Sequence, residues 1–132
     1  MFVSPKKRPT RVLVADDNVS TRKAIVSFLR DMVGIEVCAV TANGTEAVEA
    51  ALVLKPELLI IDMVMPRLNG VEVVSILKKS LPDSKFILFT LFGDSVGKTL
   101  AKMTGVDVVL AKNEGLPVLA QKINSVIEEM GE

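Results

Sequence analysis

Short apolar, β-branched runs recur along the chain at Arg11 to Ala15, Ile35 to Thr41, Leu58 to Ile61, Phe86 to Thr90 and Val106 to Ala111. Between them lie longer stretches with apolar positions three and four apart. The runs are apolar at nearly every position instead of alternating, the pattern of strands covered by helices on both sheet faces. The intervening stretches carry helix punctuation. A first helix starts at about Ser20. Asn43-Gly44-Thr45-Glu46 offers an N-cap before Ala47, Val48, Ala51 and Leu52, whose spacing makes one apolar face, and Pro56 stops that helix. Asn69-Gly70 introduces Val71, Val74 and Leu77, ended near Pro82, and Ser95 offers a cap for a fourth helix. Pro117 stands at a first helical position, followed by Leu119, Ile123, Val126 and Ile127 on one face with Glu128 and Glu129 opposite. Five βα units with right-handed crossovers predict an α/β fold with a doubly wound, five-stranded parallel sheet.

Composition narrows the chemistry. At 132 residues, 49% of them hydrophobic, the chain has room for one core, with Met1 to Thr10 a flexible basic arm and residues 11–132 the domain. Lys and Arg total 16 against 16 Asp and Glu, so no overall field holds nucleic acid or an anionic membrane. No apolar run is long enough to span a bilayer and Met1 to Thr10 lacks a secretory apolar centre, so a cytoplasmic protein is expected. The one cysteine, Cys38, cannot form an internal disulfide and reads as a small core hydrophobe. The absence of histidine removes His-based zinc sites and Ser-His triads, leaving carboxylates, hydroxyls and lysine.

Ligands of doubly wound sheets bind beyond the carboxyl ends of the strands, at the point where strand order reverses. Four of the five predicted strand ends carry a reactive or charged side chain: Asp16 and Asp17 after the first, Asp62 after the third, Thr90 closing the fourth and Lys112 after the fifth. Strand two ends in Thr41-Ala42-Asn43 and offers nothing comparable, as expected of an edge strand in the order 2-1-3-4-5. Three carboxylates converging in one crevice repel, so either some protonate or a hard divalent cation sits among them. Magnesium suits such a site, because it takes a few carboxylate oxygens and leaves a position for a phosphoryl oxygen. A carboxylate beside it can attack phosphorus, with Lys112 neutralising a second phosphoryl oxygen and the Thr90 hydroxyl donating to a third.

In these elements, Val-Leu-Val-Ala-Asp16-Asp17-Asn, Leu-Leu-Ile-Ile-Asp62-Met-Val-Met-Pro66-Arg-Leu-Asn-Gly70, Thr90 and Lys112, the chain resembles the receiver domain of bacterial two-component response regulators. The resemblance spans Arg11 to about Met130 and implies a flavodoxin-like (βα)5 fold like that of the single-domain chemotaxis response regulator. It implies that Asp62 is the phosphoacceptor, that Asp16, Asp17, Asp62 and the Val64 carbonyl hold magnesium, and that Thr90 and Lys112 bind the phosphoryl group. The implied partners are a sensor histidine kinase or histidine phosphotransfer protein, and a downstream protein effector met through the fourth helix, fifth strand and fifth helix. Such a protein is a signalling phosphoacceptor that catalyses its own phosphorylation and dephosphorylation, acting in a phosphorelay.

Taken singly, each of these residues has an ordinary explanation: Asp16 and Asp17 as helix caps, Asp62 as a loop acid before Pro66, Thr90 as a β-former, Lys112 as a surface lysine. Their joint placement favours function. A phosphorylation-independent interaction module is the alternative, and retention of all five residues argues against it. Gly93-Asp94-Ser95-Val96-Gly97-Lys98-Thr99 suggests a phosphate-binding loop, but it has one residue too few between its glycines and Phe92 where the first glycine belongs. A phosphohydrolase with an aspartyl intermediate would want a second carboxylate at Val64. The chain departs from the receiver pattern at Asn113, where proline usually follows the lysine, at Val109, where an aromatic switch residue is common, and at Leu91, usually small. Asn113 predicts a trans Lys112–Asn113 peptide. Val64, Leu91 and Phe92 flank the approach to the phosphoryl site, and their side chains cannot hydrogen-bond an attacking water.

Overall fold

In the computed structural model, which describes residues 8–91, 99, 102 and 104–131, the elements run β1 (Thr10–Ala15), α1 (Val19–Arg30), β2 (Ile35–Thr41), α2 (Gly44–Leu54), β3 (Leu58–Ile61), α3 (Gly70–Ser80), β4 (Lys85–Thr90), β5 (Val108–Ala111), a 3-10 turn (Lys112–Glu114) and α4 (Leu116–Met130). The α4 of this numbering is the predicted fifth helix. The Ser95 cap, Phe92 and the loop Gly93 to Lys98 lie outside the described residues, as does the arm up to Lys7.

The five strands form one parallel sheet in the predicted order β2-β1-β3-β4-β5. The central strands β1, β3 and β4 are apolar along most of their length because both faces are covered. Leu13, Leu59, Ile61, Phe86 and Leu88 pack against Ala47 and Ala51 of α2 and Val73, Val74 and Leu77 of α3. Val12, Val14, Ile60, Ile87 and Leu110 pack on the other face against Ile25 and Leu29 of α1 and Leu119 and Ile123 of α4. Each fully buried Leu or Ile contributes about 1.5–3 kcal/mol.

Register levels the strand ends. Ala15 pairs with Ile61, Ile61 with Leu88, and Thr90 with Ala111. Asp16 and Asp62 continue the ladder, their amides donating to Thr41 O at 3.1 Å and Ala15 O at 2.9 Å. The residues that follow β1, β3 and β5 therefore emerge along one rim of the sheet, with Thr90 closing β4 between them.

Asparagine caps three helices: Asn18 before α1, Asn43 before α2 and Asn69 before α3, each accepting a backbone N–H. At Asn69 the Glu72 carboxylate accepts from the Asn69 amide, completing a reciprocal capping box. Several expectations need correction. The cap of α1 is Asn18, so neither Asp16 nor Asp17 performs that task. β1 begins at Thr10, one residue inside the predicted arm, and β5 begins at Val108 instead of Val106. Leu52 faces solvent, 44% exposed, because the small residues Ala47 and Ala51 seat α2 on the sheet and turn Leu52 outward. Cys38 is only partly buried: pairing steps from Val12↔Val37 to Leu13↔Ala39, which leaves Cys38 as the extra residue of a β-bulge on an edge strand. No described peptide bond is cis, in keeping with Asn113 after Lys112.

Candidate functional site

Asp16, Asp17, Asp62 and Lys112 come together beyond the strand ends. Asp16 is buried, its Oδ1 accepting the Asn18 backbone N–H at 2.9 Å, which fixes the side chain and turns Oδ2 across the crevice. Arg22 Nη1 donates to the Asp16 carbonyl at 2.8 Å, tying the start of α1 to the same residue. Asp17 is exposed at the mouth. Asp62, 7% exposed, has Oδ1 near the Val64 N–H at 3.4 Å.

The loop behind Asp62 depends on glycine at one close approach. A Cβ at Gly70 would fall on the Asp62 carbonyl oxygen, and the Gly70 amide donates to Met63 O at 2.8 Å. This lets α3 begin directly against the strand end. Arg67 takes a left-handed φ of 74° in the same loop, a costly conformation for a residue with a side chain.

Lys112 joins the two buried carboxylates. Its Nζ lies 2.7 Å from Asp16 Oδ2 and donates to Asp62 Oδ2 at 3.1 Å. Burial pushes the Asp62 carboxyl above the usual carboxylate range; Lys112 opposes this and the charge of Asp16 adds to it. Burial works against the Lys112 ammonium too, but Asp16 and Asp62 outweigh it and hold the lysine above its ordinary value.

Asp16, Asp17 and Asp62 can each present one carboxylate oxygen within 4.8 Å of the others. Asp16 Oδ2 accepts no well-directed hydrogen bond although it is buried. Three converging hard oxygens, of which the buried Asp16 Oδ2 is paired with the Lys112 ammonium, fit a small divalent cation such as magnesium.

Thr90 is fully buried at the end of β4. Val64, 54% exposed, and Leu91, 73% exposed, line a cavity of about 240 Å³ together with Asp17, Asn18, Asp62 and Lys112. Val109 lies back along β5, packed partly buried on the α2 and α3 side. Sequence reasoning missed Asn18 and Arg22, which hold Asp16, and Glu114, whose Oε2 accepts the Ala111 amide at 3.0 Å. The Asn18 spacing to Thr21 was the available signal; Arg22 and Glu114 had none.

Over residues 12–124 the chain matches the family model described as response regulator receiver domain. It is similar to the response regulator protein VraR of Staphylococcus epidermidis, 32% identical over 118 residues, which cover 89% of this chain and 56% of that protein. VraR of Staphylococcus aureus strain NCTC 8325 is 34% identical over 113 residues, covering 86% of this chain and 54% of that protein. The chain spans about half the length of the curated relatives it matches. Among solved structures, the response regulator domain of Thermotoga maritima CheB superposes with a TM-score of 0.78 at 27% identity, covering 93% of this chain and 94% of that one. The signal receiver domain of the putative response regulator NarL from Mycobacterium tuberculosis shares the fold, with a TM-score of 0.84 at 20% identity over 95% of this chain and 99% of that one. Sheet order and sequence similarity agree across nearly the whole described domain, and the chain belongs to the response regulator receiver domain family.

Proposed function

We propose that Asp62 accepts a phosphoryl group from the phosphohistidine of a sensor histidine kinase or histidine phosphotransfer protein, and that the modified domain changes its contacts with a downstream protein. The observation that carries this is Lys112 Nζ held at 2.7 Å and 3.1 Å from the Asp16 and Asp62 carboxylates in a crevice that opens to solvent through Asp17. An Asp62 carboxylate oxygen attacks phosphorus, the phosphorus–nitrogen bond of the donor breaks, and the departing imidazole keeps the bonding pair and takes a proton from solvent. Lys112, released from one carboxylate, pairs with a phosphoryl oxygen, and the buried Thr90 hydroxyl donates to another. Asn18 and Arg22 keep Asp16 in place throughout. Asp16, Asp17, Asp62 and the Val64 carbonyl would hold magnesium, which would supply positive charge for the phosphoryl oxygens.

Grouping of Asp16, Asp17, Asp62 and Lys112 in one crevice, with Thr90 closing β4, weighs against a phosphorylation-independent module. Among the described residues no helix is long and apolar enough to cross a membrane, which suits work in the cytoplasm beside such donors. The effector meets β5 and α4; the fourth helix expected to share in that contact lies mostly outside the described residues. Mass spectrometry after incubation with acetyl phosphate and magnesium tests the central step. One added phosphoryl group on the native chain, and none on Asp62→Ala, is the expected result; no addition to the native chain, or equal addition to both, overturns it.

A further inference from the structure

The loop that carries Lys112 is closed by two hydrogen bonds. β5 is an edge strand, and its last amide, Ala111 N–H, donates to Glu114 Oε2 at 3.0 Å. One residue past Glu114, the Gly115 amide donates to Lys112 O at 3.1 Å, completing the 3-10 turn over Lys112–Glu114. Lys112 is thus bracketed by a side-chain bond across it and a backbone bond from it. Asn113 has no ring to fix its φ, so the turn depends on these bonds for its shape. That shape decides whether Nζ reaches both carboxylates, at 2.7 Å and 3.1 Å.

We infer that Glu114 is a positioning residue for phosphoryl transfer, acting through the Ala111 amide to hold the turn that aims Lys112. The inference rests on Asp62 being the phosphoacceptor. Glu114 is exposed and its carboxylate accepts the Ala111 amide, apart from the Asp16, Asp17 and Asp62 oxygens, so its effect is separable from cation binding. The carboxylate accepts from a backbone amide, a charge-assisted bond whose acceptor can be replaced by an amide oxygen of the same reach.

The test follows the rate of Asp62 phosphorylation by acetyl phosphate at saturating magnesium in the full chain. Glu114→Ala should slow it by about three- to tenfold, on the scale of one lost hydrogen bond. Glu114→Gln should stay within about twofold of native, because its amide oxygen accepts the same bond. Glu114→Asp keeps the charge but is one methylene shorter, and should behave as alanine does. In a Lys112→Ala background Glu114→Ala should change the rate no further, since the two act as one unit. Magnesium affinity should stay within about twofold in every Glu114 variant, because none of them removes an oxygen from the cation site. A Glu114→Ala chain phosphorylated at the native rate overturns the inference, as does Glu114→Gln as slow as alanine, or Glu114→Ala slowing the Lys112→Ala chain as much as it slows the native one. A native chain that takes up no phosphoryl group overturns the Asp62 assignment itself and the inference with it.

Discussion

The Asn18 amide donates to Asp16 Oδ1 at 2.9 Å while the Asn18 side chain accepts the Thr21 amide at 2.9 Å. One residue both caps α1 and orients the buried acid. Asp17, between them in sequence, does neither and stays exposed at the mouth of the crevice. The adjacent residues Asp17 and Asn18 are therefore divided between the acidic crevice and helix initiation.

That division separates two substitutions. Asn18→Ala should cost about 1 kcal/mol of metal-free stability, the usual loss of an N-cap. Asp17→Asn should leave metal-free stability unchanged or slightly higher, since it removes one of three mutually repelling carboxylates. It should weaken magnesium binding by about tenfold, roughly 1.4 kcal/mol. Urea unfolding with and without magnesium measures all three effects; a clear metal-free loss in Asp17→Asn would show that Asp17 supports α1 after all.

Lys112→Ala should be the most destabilising change in the site when metal is absent. Asp16 and Asp62 side chains are 1% and 10% exposed, and the Lys112 ammonium pairs with both. Removing one partner of a buried pair costs about 3–5 kcal/mol, and opening to solvent brings the expected loss here to about 2–3 kcal/mol. Magnesium should restore more stability to Lys112→Ala than to the native chain, because it meets two carboxylates without a counter-charge. Equal stabilisation of both proteins would mean that the cation does not bind among these oxygens.

The pH dependence has a definite sign. The folded-state pKa of Asp62 is raised, by burial first and by the charge of Asp16 against the pull of Lys112. Between the ordinary aspartate value and that raised value the folded chain binds more protons than the unfolded chain, so this group's contribution falls as pH rises through the window. Without metal, Asp62→Asn should therefore match or exceed native stability at neutral pH, and its advantage should shrink on acidification towards the ordinary aspartate value. Lys112 acts at the other end: its raised pKa gives stability that is present at neutral pH and lost as pH climbs through the folded value above the ordinary lysine range. Urea midpoints of the two proteins in chelator across pH would check both. An Asp62→Asn advantage that grows on acidification would reverse the sign assigned to Asp62.

Asp16, Asp62 and Lys112 are legible in the sequence because each directly follows an unbroken apolar run, and Thr90 because it closes one. Parallel strands in register turn such positions into neighbours, so reading run ends alone recovers the crevice. The α1 cap was hidden among three adjacent residues that can all cap, and only the extended backbone of Asn18, φ −83° and ψ 116°, selects one. The bulge at Cys38 is a property of pairing with β1, which an apolar run in β2 alone does not carry. In α2 the alanines leave the helical phase open by a residue, enough to misplace Leu52. Glu114 reaches Ala111 only once the 3-10 turn exists, and nothing in Lys-Asn-Glu announces that turn.

The lifetime of the modified state depends on how water reaches phosphorus. Hydrolysis of an acyl phosphate needs a water held in line behind the phosphoryl group by a hydrogen-bonding side chain or backbone. Val64 and Leu91 line the cavity over Asp62, and neither side chain can accept or donate a hydrogen bond. Phe92, next along the chain, is equally unable to hold water through its side chain. Both Val64 and Leu91 are more than half exposed, so they stand at the rim and act by failing to anchor a water more than by sealing the crevice. Val64→Asn should therefore speed dephosphorylation by about three- to tenfold, the scale on which one added hydrogen bond to a reacting water acts. Phe92→Glu should act in the same direction, whereas Leu91→Ala, which widens the opening and adds no polar group, should change the rate by less than about twofold. The measurement is decay of the phosphorylated chains after donor removal at fixed magnesium. If Leu91→Ala accelerates decay as much as Val64→Asn does, steric access and not water anchoring governs the lifetime; if no variant decays faster than native, these three side chains have no part in it.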